Sequence, residues 1–336
     1  MSRGRLSLIS CESGKYFANR VAKHLEKLVG ERTHYRIQST EIVFPNGEIK
    51  VVIDENIRGD DVYIIQCVDD PLMPERSIND NIFALLTAIN AAYQADADRV
   101  TAVIPQFPYS RQERKKGREA ITAKQIAHFL EISGADRVIT LDIHSEAIEG
   151  FFTKAKLENL HASRTLIDHL KKSNYLVENL VVVAPDVGGS EKARFYSKEL
   201  KTDFAIVDKA RDYSKIGKIE SMRLVGNVKD KNILIVDDII ATGGTLINAA
   251  NLLKSEGALD IIILCSLPYF NGNAIEKLRK AYNEGVIKKI IGTDAVFHGE
   301  KFLNENEWYE EVSIAELFAN VIYNINTKKS VSKLLK

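Results

Sequence analysis

The sequence contains few of the residues that build disulfide frameworks or thiolate metal sites. Only three of the 336 residues are cysteine, and Cys11, Cys67 and Cys265 lie far apart along the chain. An odd number of widely spaced cysteines argues against a disulfide framework and matches no metal-binding spacing. We therefore expect three buried, reduced thiols.

Net charge and long apolar segments are absent as well. Lys plus Arg equals Asp plus Glu at 46 each, so no overall field attracts the chain to nucleic acid or to an anionic membrane, and neither is expected as a partner. No apolar run approaches the ~18 residues that span a bilayer. Residues 1–10 lack the apolar core of a signal peptide. By elimination we expect a cytoplasmic protein.

Short β-branched runs alternate with helical patterns along most of the chain. The continuous apolar character of these runs is typical of parallel strands covered on both faces. Between them, helical patterns such as residues 15–29 and 78–92 place apolar residues on one stripe. The alternation predicts an α/β fold with mainly parallel sheets flanked by helices. The predicted strands are residues 62–67, 99–105, 137–141, 180–185, 203–207, 232–236, 260–267 and 289–293.

The alternating pattern occurs twice, as the length of the chain also suggests at roughly 150 residues per domain. We predict an N-terminal domain over residues 1–155, a second domain over 156–310, and a C-terminal helix and tail over 311–336. Residues 37–53 differ, because strand residues alternate around the turn Pro45-Asn46-Gly47. This segment predicts a hairpin.

The strongest local signal follows the strand at residues 232–236. Asp237 and Asp238 come at its end, a short loop follows, and Thr242-Gly-Gly-Thr245 opens a helix. Ligands of open α/β sheets bind beyond the carboxyl ends of strands, and glycine amides at a helix start suit a phosphate. The carboxylates can accept hydrogen bonds from ribose hydroxyls or hold a metal through water. Alternatively, the paired carboxylates simply cap the loop.

Residues 236–245 resemble the PRPP-binding motif shared by type I phosphoribosyltransferases and ribose-phosphate pyrophosphokinases, also called PRPP synthetases. Further segments resemble the pyrophosphokinases in order, and transferases lack the N-terminal half of the set. These segments are Phe44-Pro-Asn-Gly-Glu48, Asn56-Ile-Arg-Gly59, Tyr109-Ser-Arg-Gln-Glu-Arg114, Ile121-Thr-Ala-Lys124, Asp142-Ile-His144, Gly150-Phe-Phe152, Pro185-Asp-Val-Gly-Gly189 and Asp208-Lys-Ala-Arg211.

The resemblance implies two phosphoribosyltransferase-like domains and a specific reaction. The pyrophosphoryl group of Mg-ATP passes to the C1 hydroxyl of ribose 5-phosphate, giving 5-phosphoribosyl 1-diphosphate (PRPP) and AMP for nucleotide biosynthesis. The first domain is expected to carry the ATP side and subunit contacts, and the second the ribose 5-phosphate site. The family assembles into homo-oligomers, built from dimers and usually hexameric.

The resemblance also implies roles for individual residues. Lys209 and Arg211 match the family's catalytic pair, and residues 212–218 after them suit a mobile lid. His144 and Asp186 match residues that serve the Mg²⁺–ATP site. Expected ATP-binding residues are Phe44, Asn46, Gly47, Glu48, Arg111 and Gln112. Expected ribose 5-phosphate-binding residues are Arg211, Asp237, Asp238, Ala241, Thr242, Gly243, Gly244 and Thr245.

The sequence departs from the family pattern at Ala241, in residues 111–124, in residues 313–315 and in the connector at residues 68–79. Ala241 replaces a third aspartate of the sugar motif, which could weaken ribose binding or slow turnover. Residues 68–79, with two prolines, form a longer connector than usual. The loss at Ala241 leaves two alternatives open, a catalytically silent regulatory homologue and a phosphoribosyltransferase.

Overall fold

The computed structural model describes residues 3–30, 35–173, 175–211 and 219–334. The chain divides into two compact units. Unit 1 contains Met1–His161, Asp294–Phe297 and Ser313–Lys336, and unit 2 contains Ala162–Thr293 and His298–Val312.

The described residues form fourteen strands and nine α-helices. The strands are β1 (Leu6–Ser10), β2 (Ser39–Val43), β3 (Ile49–Ile53), β4 (Asp61–Ile65), β5 (Arg99–Val103), β6 (Arg137–Leu141), β7 (Lys156–Leu160), β8 (Leu180–Ala184), β9 (Asp203–Arg211), β10 (Ile219–Val225), β11 (Asn232–Ile240), β12 (Ile261–Pro268), β13 (Lys289–Thr293) and β14 (Tyr309–Val312). The helices are α1 (Lys15–Val29), α2 (Ile78–Gln94), α3 (Thr122–Ser133), α4 (Ser163–Lys172), α5 (Ser190–Leu200), α6 (Gly244–Ser255), α7 (Ala274–Asn283), α8 (Glu300–Glu305) and α9 (Ala315–Asn326).

Unit 1 is built on a five-stranded parallel sheet in the order β1-β4-β5-β6-β7. The inner strands β4 and β6 are buried along their whole length, as continuous apolar runs predict. Because β7 pairs with β6, unit 1 extends to His161, six residues beyond the predicted boundary at 155. Helix α9 also belongs to unit 1, where Phe318 packs edge-on against Phe17 of α1 at 5.2 Å between ring centroids.

The predicted hairpin is confirmed. Strands β2 and β3 pair antiparallel from Ser39 with Ile53 to Val43 with Ile49. The turn between them is closed by the Phe44 amide on the Glu48 carbonyl at 2.8 Å. At the turn, Gly47 has a φ of 87°, a conformation that glycine adopts without steric cost.

Unit 2 is built on a seven-stranded sheet in the order β10-β9-β8-β11-β12-β13-β14. All neighbours are parallel except β10, which runs antiparallel to β9. The predicted α/β class with mainly parallel sheets is therefore confirmed. All three cysteines are buried and free, as expected. Within the described ranges, every helix is too short or too polar to cross a membrane.

Two strands extend four residues beyond their predicted ends, from 207 to 211 and from 236 to 240. Strand β11 does not stop before Asp237 but continues to Ile240, because Ile239 and Ile240 still pair with Leu267 and Pro268 of β12. Strand β9 does not stop at Val207 but continues to Arg211, because β10 pairs with this extension. The acidic pair and the Lys209–Arg211 segment therefore lie on strands and not on loops.

Candidate active site

The central strands of the unit 2 sheet bring several candidate residues to one edge. Strands β9, β8 and β11 are neighbours and run parallel, so their carboxyl ends meet at the same edge. Asp186 lies two residues beyond β8, and Asp237 lies two residues beyond the last β8–β11 pair, Ile235 with Val183. The backbone of Lys209 and Arg211 continues β9 at this edge. This is the position at which parallel sheets bind ligands.

Carboxylates concentrate negative charge there. The Asp238 amide donates to Oδ1 of Asp237 at 2.8 Å. Burial raises the pKa of Asp237 well above its usual range, and the Asp238 and Asp186 carboxylates add to that rise. A cation or a set of sugar hydroxyls bound here would compensate the mutual repulsion of these carboxylates.

The segment after the acidic pair forms an anion-binding turn. Gly243 precedes α6 with a φ of 71°, in the left-handed region that favours glycine. A Cβ built on Gly244 meets no atom within 4 Å, so a ligand can approach its backbone closely. Thr242 and Thr245 are exposed on either side of the two glycines. Among the described residues no side chain caps α6, which leaves its first amides to a phosphate.

The loop after β8 is shaped by Asp186 itself. Its Oδ1 accepts a hydrogen bond from the Gly189 amide at 3.0 Å, which closes a short 3₁₀ turn over Val187–Gly189. This contact fixes one carboxylate oxygen of Asp186 beside β11. The predicted lid at residues 212–218 lies outside the described residues.

The unit 1 candidates follow two neighbouring strands, β5 and β6. Arg111 and Gln112 are exposed in the loop after β5, where the Gln112 amide donates to the Tyr109 carbonyl at 2.9 Å. His144 is exposed just after β6. The three side chains thus belong to the carboxyl edge of the first sheet, as their positions in the sequence predict.

The remaining candidates occupy the tip of the β2–β3 hairpin. Phe44, Asn46, Gly47 and Glu48 are all exposed, and Phe44 as a whole retains 42% of its accessible surface. Oδ1 of Asn46 accepts from the Glu48 amide at 3.2 Å, so the turn is ordered by its own side chain. An exposed aromatic ring beside polar groups is suited to stacking and hydrogen bonding with a flat heterocycle.

The structure brings some predicted partners together and assigns others to separate units. Asp186, Asp237, Asp238 and the glycine turn share unit 2, whereas His144, the other residue expected at the metal, belongs to unit 1. Within the described part of the chain, no group of three or more His, Cys, Asp or Glu side chains is arranged to hold a metal alone. The sequence did not single out the contact between Nδ1 of His161 and Oδ1 of Asp142 at 3.0 Å, because the two residues lie 19 positions apart.

Comparison with known proteins gives two matches that cover most of the chain. The N-terminal domain of ribose phosphate pyrophosphokinase matches residues 6–134. The phosphoribosyl transferase domain matches residues 155–302. A ribose-phosphate pyrophosphokinase of Chlorobaculum tepidum is 42% identical over 87% of this chain and 85% of that protein. The chain belongs to the ribose-phosphate pyrophosphokinase family.

Other members of the ribose-phosphate pyrophosphokinase family align over nearly the whole chain. Ribose-phosphate pyrophosphokinase 1 of Streptococcus agalactiae is 35% identical over 100% of this chain and 98% of that protein. The crystal structure of phosphoribosylpyrophosphate synthetase from Mycobacterium smegmatis superimposes with a TM-score of 0.83 at 32% identity, over 96% of this chain and 98% of that one. The chain is accordingly an enzyme of the transferase class with phosphoribosyltransferase-type domains.

Proposed function

We propose that this ribose-phosphate pyrophosphokinase transfers the pyrophosphoryl group of Mg-ATP to the C1 hydroxyl of ribose 5-phosphate, releasing PRPP and AMP. The observation that carries the proposal is the juxtaposition of the acidic pair on β11 with the uncapped, glycine-lined start of α6. A sugar phosphate has hydroxyls for the carboxylates and a phosphate for the amides. One ligand therefore satisfies both halves of the site.

The ribose 5-phosphate subsite is proposed to use the predicted residues of unit 2. The 5-phosphate binds the amides of Gly243 and Gly244 and the hydroxyls of Thr242 and Thr245. Asp237 and Asp238 accept hydrogen bonds from ribose hydroxyls. Ala241 stands where the family motif has a carboxylate, so the two remaining aspartates position the sugar.

The nucleotide subsite is proposed to use the exposed groups of unit 1. The Phe44 ring stacks on adenine, while Asn46 and Glu48 hydrogen-bond its edge on the Gly47 turn. Arg111 and Gln112 contact the nucleotide, with the Arg111 guanidinium either stacked on the base or paired with phosphate. Homo-oligomerisation, with a dimer as its building block, belongs to the same proposal because the hairpin tip is exposed for a neighbouring subunit.

The residues present fit a magnesium ion that arrives with ATP. Mg²⁺ is usually held by one or two carboxylates together with substrate phosphates and water. Such an ion does not require a site built from three or more protein side chains, and the described residues contain no such group. Asp186 of unit 2 would supply a hard carboxylate oxygen, and His144 of unit 1 is proposed to contact the Mg²⁺–ATP complex. When bound, the ion neutralises charge on the phosphates.

Lys209 and Arg211 are proposed to stabilise the charge that develops on the transferred group and on the departing AMP. Both lie on the extension of β9 at the edge that carries Asp186. The C1 hydroxyl then attacks the β-phosphorus, and alignment with charge neutralisation does most of the catalytic work.

Release of AMP tests the proposal directly. The protein is incubated with ATP, Mg²⁺ and ribose 5-phosphate, and AMP and PRPP should form in equal amounts only when all three are present. Lys209→Ala should lower kcat by roughly 10³-fold, the scale of a lost charge-stabilising group. Asp238→Asn should raise the KM for ribose 5-phosphate at least about tenfold, as expected when a charged hydrogen-bond acceptor is neutralised.

Asp230→Asn is the matched control, because Asp230 is an exposed unit 2 aspartate on a turn with a φ of 57° that asparagine tolerates. Its kinetics should equal those of the parent protein. Absence of AMP in the complete mixture would reject the proposal and favour a silent homologue. Consumption of PRPP with a purine base would instead favour a phosphoribosyltransferase.

A further inference from the structure

The connector at residues 68–79 begins with contacts to α2 and to the loop that follows β5. Nδ2 of Asn81 donates to the Val68 carbonyl at 3.0 Å. The side chain of Gln106 then pairs with both backbone groups of Asp69, accepting from its amide at 3.1 Å and donating to its carbonyl at 3.0 Å. Gln106 is fully buried. The start of the connector is therefore fixed to the segment that leads to Arg111.

The middle of the connector reaches the hairpin through a buried ion pair. Two turns, closed by the Met73 amide on Asp70 and the Arg76 amide on Met73, bring the Arg76 side chain inward. Its Nη1 donates to Oε1 of Glu41 on β2. The two side chains retain only 10% and 4% of their accessible surface. Such a pair is geometrically demanding, because either charge buried alone is strongly unfavourable.

Glu41 transmits this contact to the body of unit 1. Its second oxygen, Oε2, accepts a hydrogen bond at 3.0 Å from the Glu12 amide, which lies two residues after β1. The carboxylate is thus held from two sides, by the connector and by the first sheet. Phe44, the first residue of the hairpin tip, lies three residues after Glu41 and directly follows the end of β2. The direction of the tip depends on the part of β2 that Glu41 fixes.

The end of the connector returns to the loop after β5. Ser77 and Asp80 form a capping box that starts α2. In the first turn of α2, Oδ1 of Asn79 accepts a hydrogen bond from the Tyr109 hydroxyl at 2.5 Å. Tyr109 has a φ of 57° and its carbonyl accepts from the Gln112 amide. The connector therefore contacts both sequence segments that the proposed nucleotide subsite uses.

We propose that the connector is a positioning element for the nucleotide, in which the buried Arg76–Glu41 ion pair sets the hairpin carrying Phe44, Asn46 and Glu48. This inference rests on the proposed function of the hairpin tip. It assigns a role to residues 68–79 and makes Arg76 and Glu41 positioning residues that touch no substrate. Its consequence is selective, because ribose 5-phosphate binds in unit 2.

The test removes both charges together, so that neither is left buried and unpaired. In the variant Arg76→Met/Glu41→Gln, the KM for Mg-ATP should rise on the order of tenfold, as expected when a binding group is misplaced. The KM for ribose 5-phosphate should change less than about twofold, which is smaller than the change expected when a single binding contact is lost. Arg76→Lys, which keeps the positive charge, should restore most of the ATP affinity.

The matched control is Arg137→Met/Glu158→Gln. This ion pair joins β6 and β7 of the same unit, and its side chains retain 11% and 14% of their accessible surface. The control should lower stability by a similar amount to the Arg76→Met/Glu41→Gln variant. It should not raise the KM for Mg-ATP selectively over the KM for ribose 5-phosphate. An equal rise of both KM values in the Arg76→Met/Glu41→Gln variant, or no rise in either, would overturn the proposal.

Hydrogen exchange tests the positioning of the hairpin independently of the proposed reaction, because the measurement does not require an active enzyme. Amides of Ser39–Val43 and Ile49–Ile53 should exchange faster in the Arg76→Met/Glu41→Gln variant than in the parent protein, and not in the control. Unchanged exchange there would overturn the positioning role even for an active enzyme. If the parent protein releases no AMP, the proposed function fails, and calorimetric binding of ATP to the same variants still decides the positioning role.

Discussion

At the scale of single residues, His298 links stability to pH. Its ring is stacked on Phe270 at 4.8 Å and lies near Phe302 at 4.9 Å, and its Nε2 contacts the Pro268 carbonyl at 2.6 Å. Burial lowers the pKa of His298 below its usual value of 6.5, although the contact with Pro268 acts in the opposite direction. The folded protein therefore favours the neutral imidazole, with the proton on the nitrogen that faces the carbonyl.

The sign of the pH effect follows from this shift. Below pH 6.5 the unfolded chain binds a proton at His298 more readily than the folded one, so stability falls as the pH drops towards the folded-state pKa. Above pH 6.5 the contribution is fully present. Urea unfolding at several pH values should therefore show a steeper acid loss for the parent protein than for His298→Gln, which keeps a donor but does not titrate. Parallel curves would contradict the prediction.

At the scale of elements, the two glycines at the start of α6 have different roles, Gly243 in folding and Gly244 in ligand binding. A Cβ on Gly243 would lie 3.3 Å from the Leu278 side chain and would have to adopt a φ of 71°. Gly243→Ala should therefore destabilise unit 2 by about 1–2 kcal/mol. Gly244 has open space and helical geometry, so Gly244→Ala should leave the fold intact or stabilise it slightly.

Of the two variants, Gly244→Ala should be the one that weakens binding of ribose 5-phosphate. The methyl group of Gly244→Ala occupies the space through which a phosphate reaches the backbone, so the KM for ribose 5-phosphate should rise about tenfold, or ~1.4 kcal/mol. Thermal unfolding and steady-state kinetics of both variants provide the measurements. Equal melting temperatures for the two variants would contradict the strain at Gly243, and an unchanged KM in Gly244→Ala would show that this turn does not hold the phosphate.

Interior strands and the hairpin were predictable from local sequence. Strands β6 and β13 have the predicted bounds because they are short apolar runs with clear flanks. The hairpin was marked by its Pro-Asn-Gly turn. Strands β1, β7, β10 and β14 were not predicted, and all four lie at an edge of their sheet. Charged residues interrupt the apolar pattern of two of them, Lys156 and Glu158 in β7 and Glu310 and Glu311 in β14. Edge strands commonly carry such residues, which hides them from hydrophobic patterns.

The candidate site was also predictable in part, where its residues are neighbours in the sequence. Asp237, Asp238 and the Gly243-Gly244 turn are consecutive on the chain, so their residue types identify them. The strand that carries the aspartates was predicted too short, since the pairing of Ile239 with Leu267 depends on β12. The Arg76–Glu41 pair has no local signal, because 35 positions separate its members. Contacts of that kind follow from the tertiary fold alone.

At the scale of the whole molecule, unit 1 is assembled from both ends of the described chain. The Arg3 amide donates to the Asn326 carbonyl at 2.8 Å, and Nδ2 of Asn326 donates to Oδ2 of Asp61 at 3.0 Å. Phe318 of α9 is fully buried against Phe17 of α1. The last helix therefore completes the hydrophobic core of the unit that begins with β1.

Removing the Phe318 ring should destabilise unit 1 strongly. Phe318→Ala leaves a cavity at a site with no exposed surface, which costs about 3–5 kcal/mol. Phe129→Ala in the same unit is the control, because Phe129 retains 48% of its accessible surface, and its loss should be below about 1 kcal/mol. Urea denaturation followed by hydrogen exchange of β4 and β5 amides measures the difference. Equal losses in the two variants would contradict the assignment of α9 to this core.

The position of α9 has a consequence for protein synthesis. The ribosome makes the five strands of the first sheet early, yet the helix that covers α1 emerges only after all of unit 2 has been translated. At ~5–20 residues per second, the nascent first sheet waits roughly ten to thirty seconds for its final helix. Unit 2, although it is translated later, can thus finish folding before unit 1. Until α9 emerges, the apolar face of α1 remains available to chaperones on the growing chain.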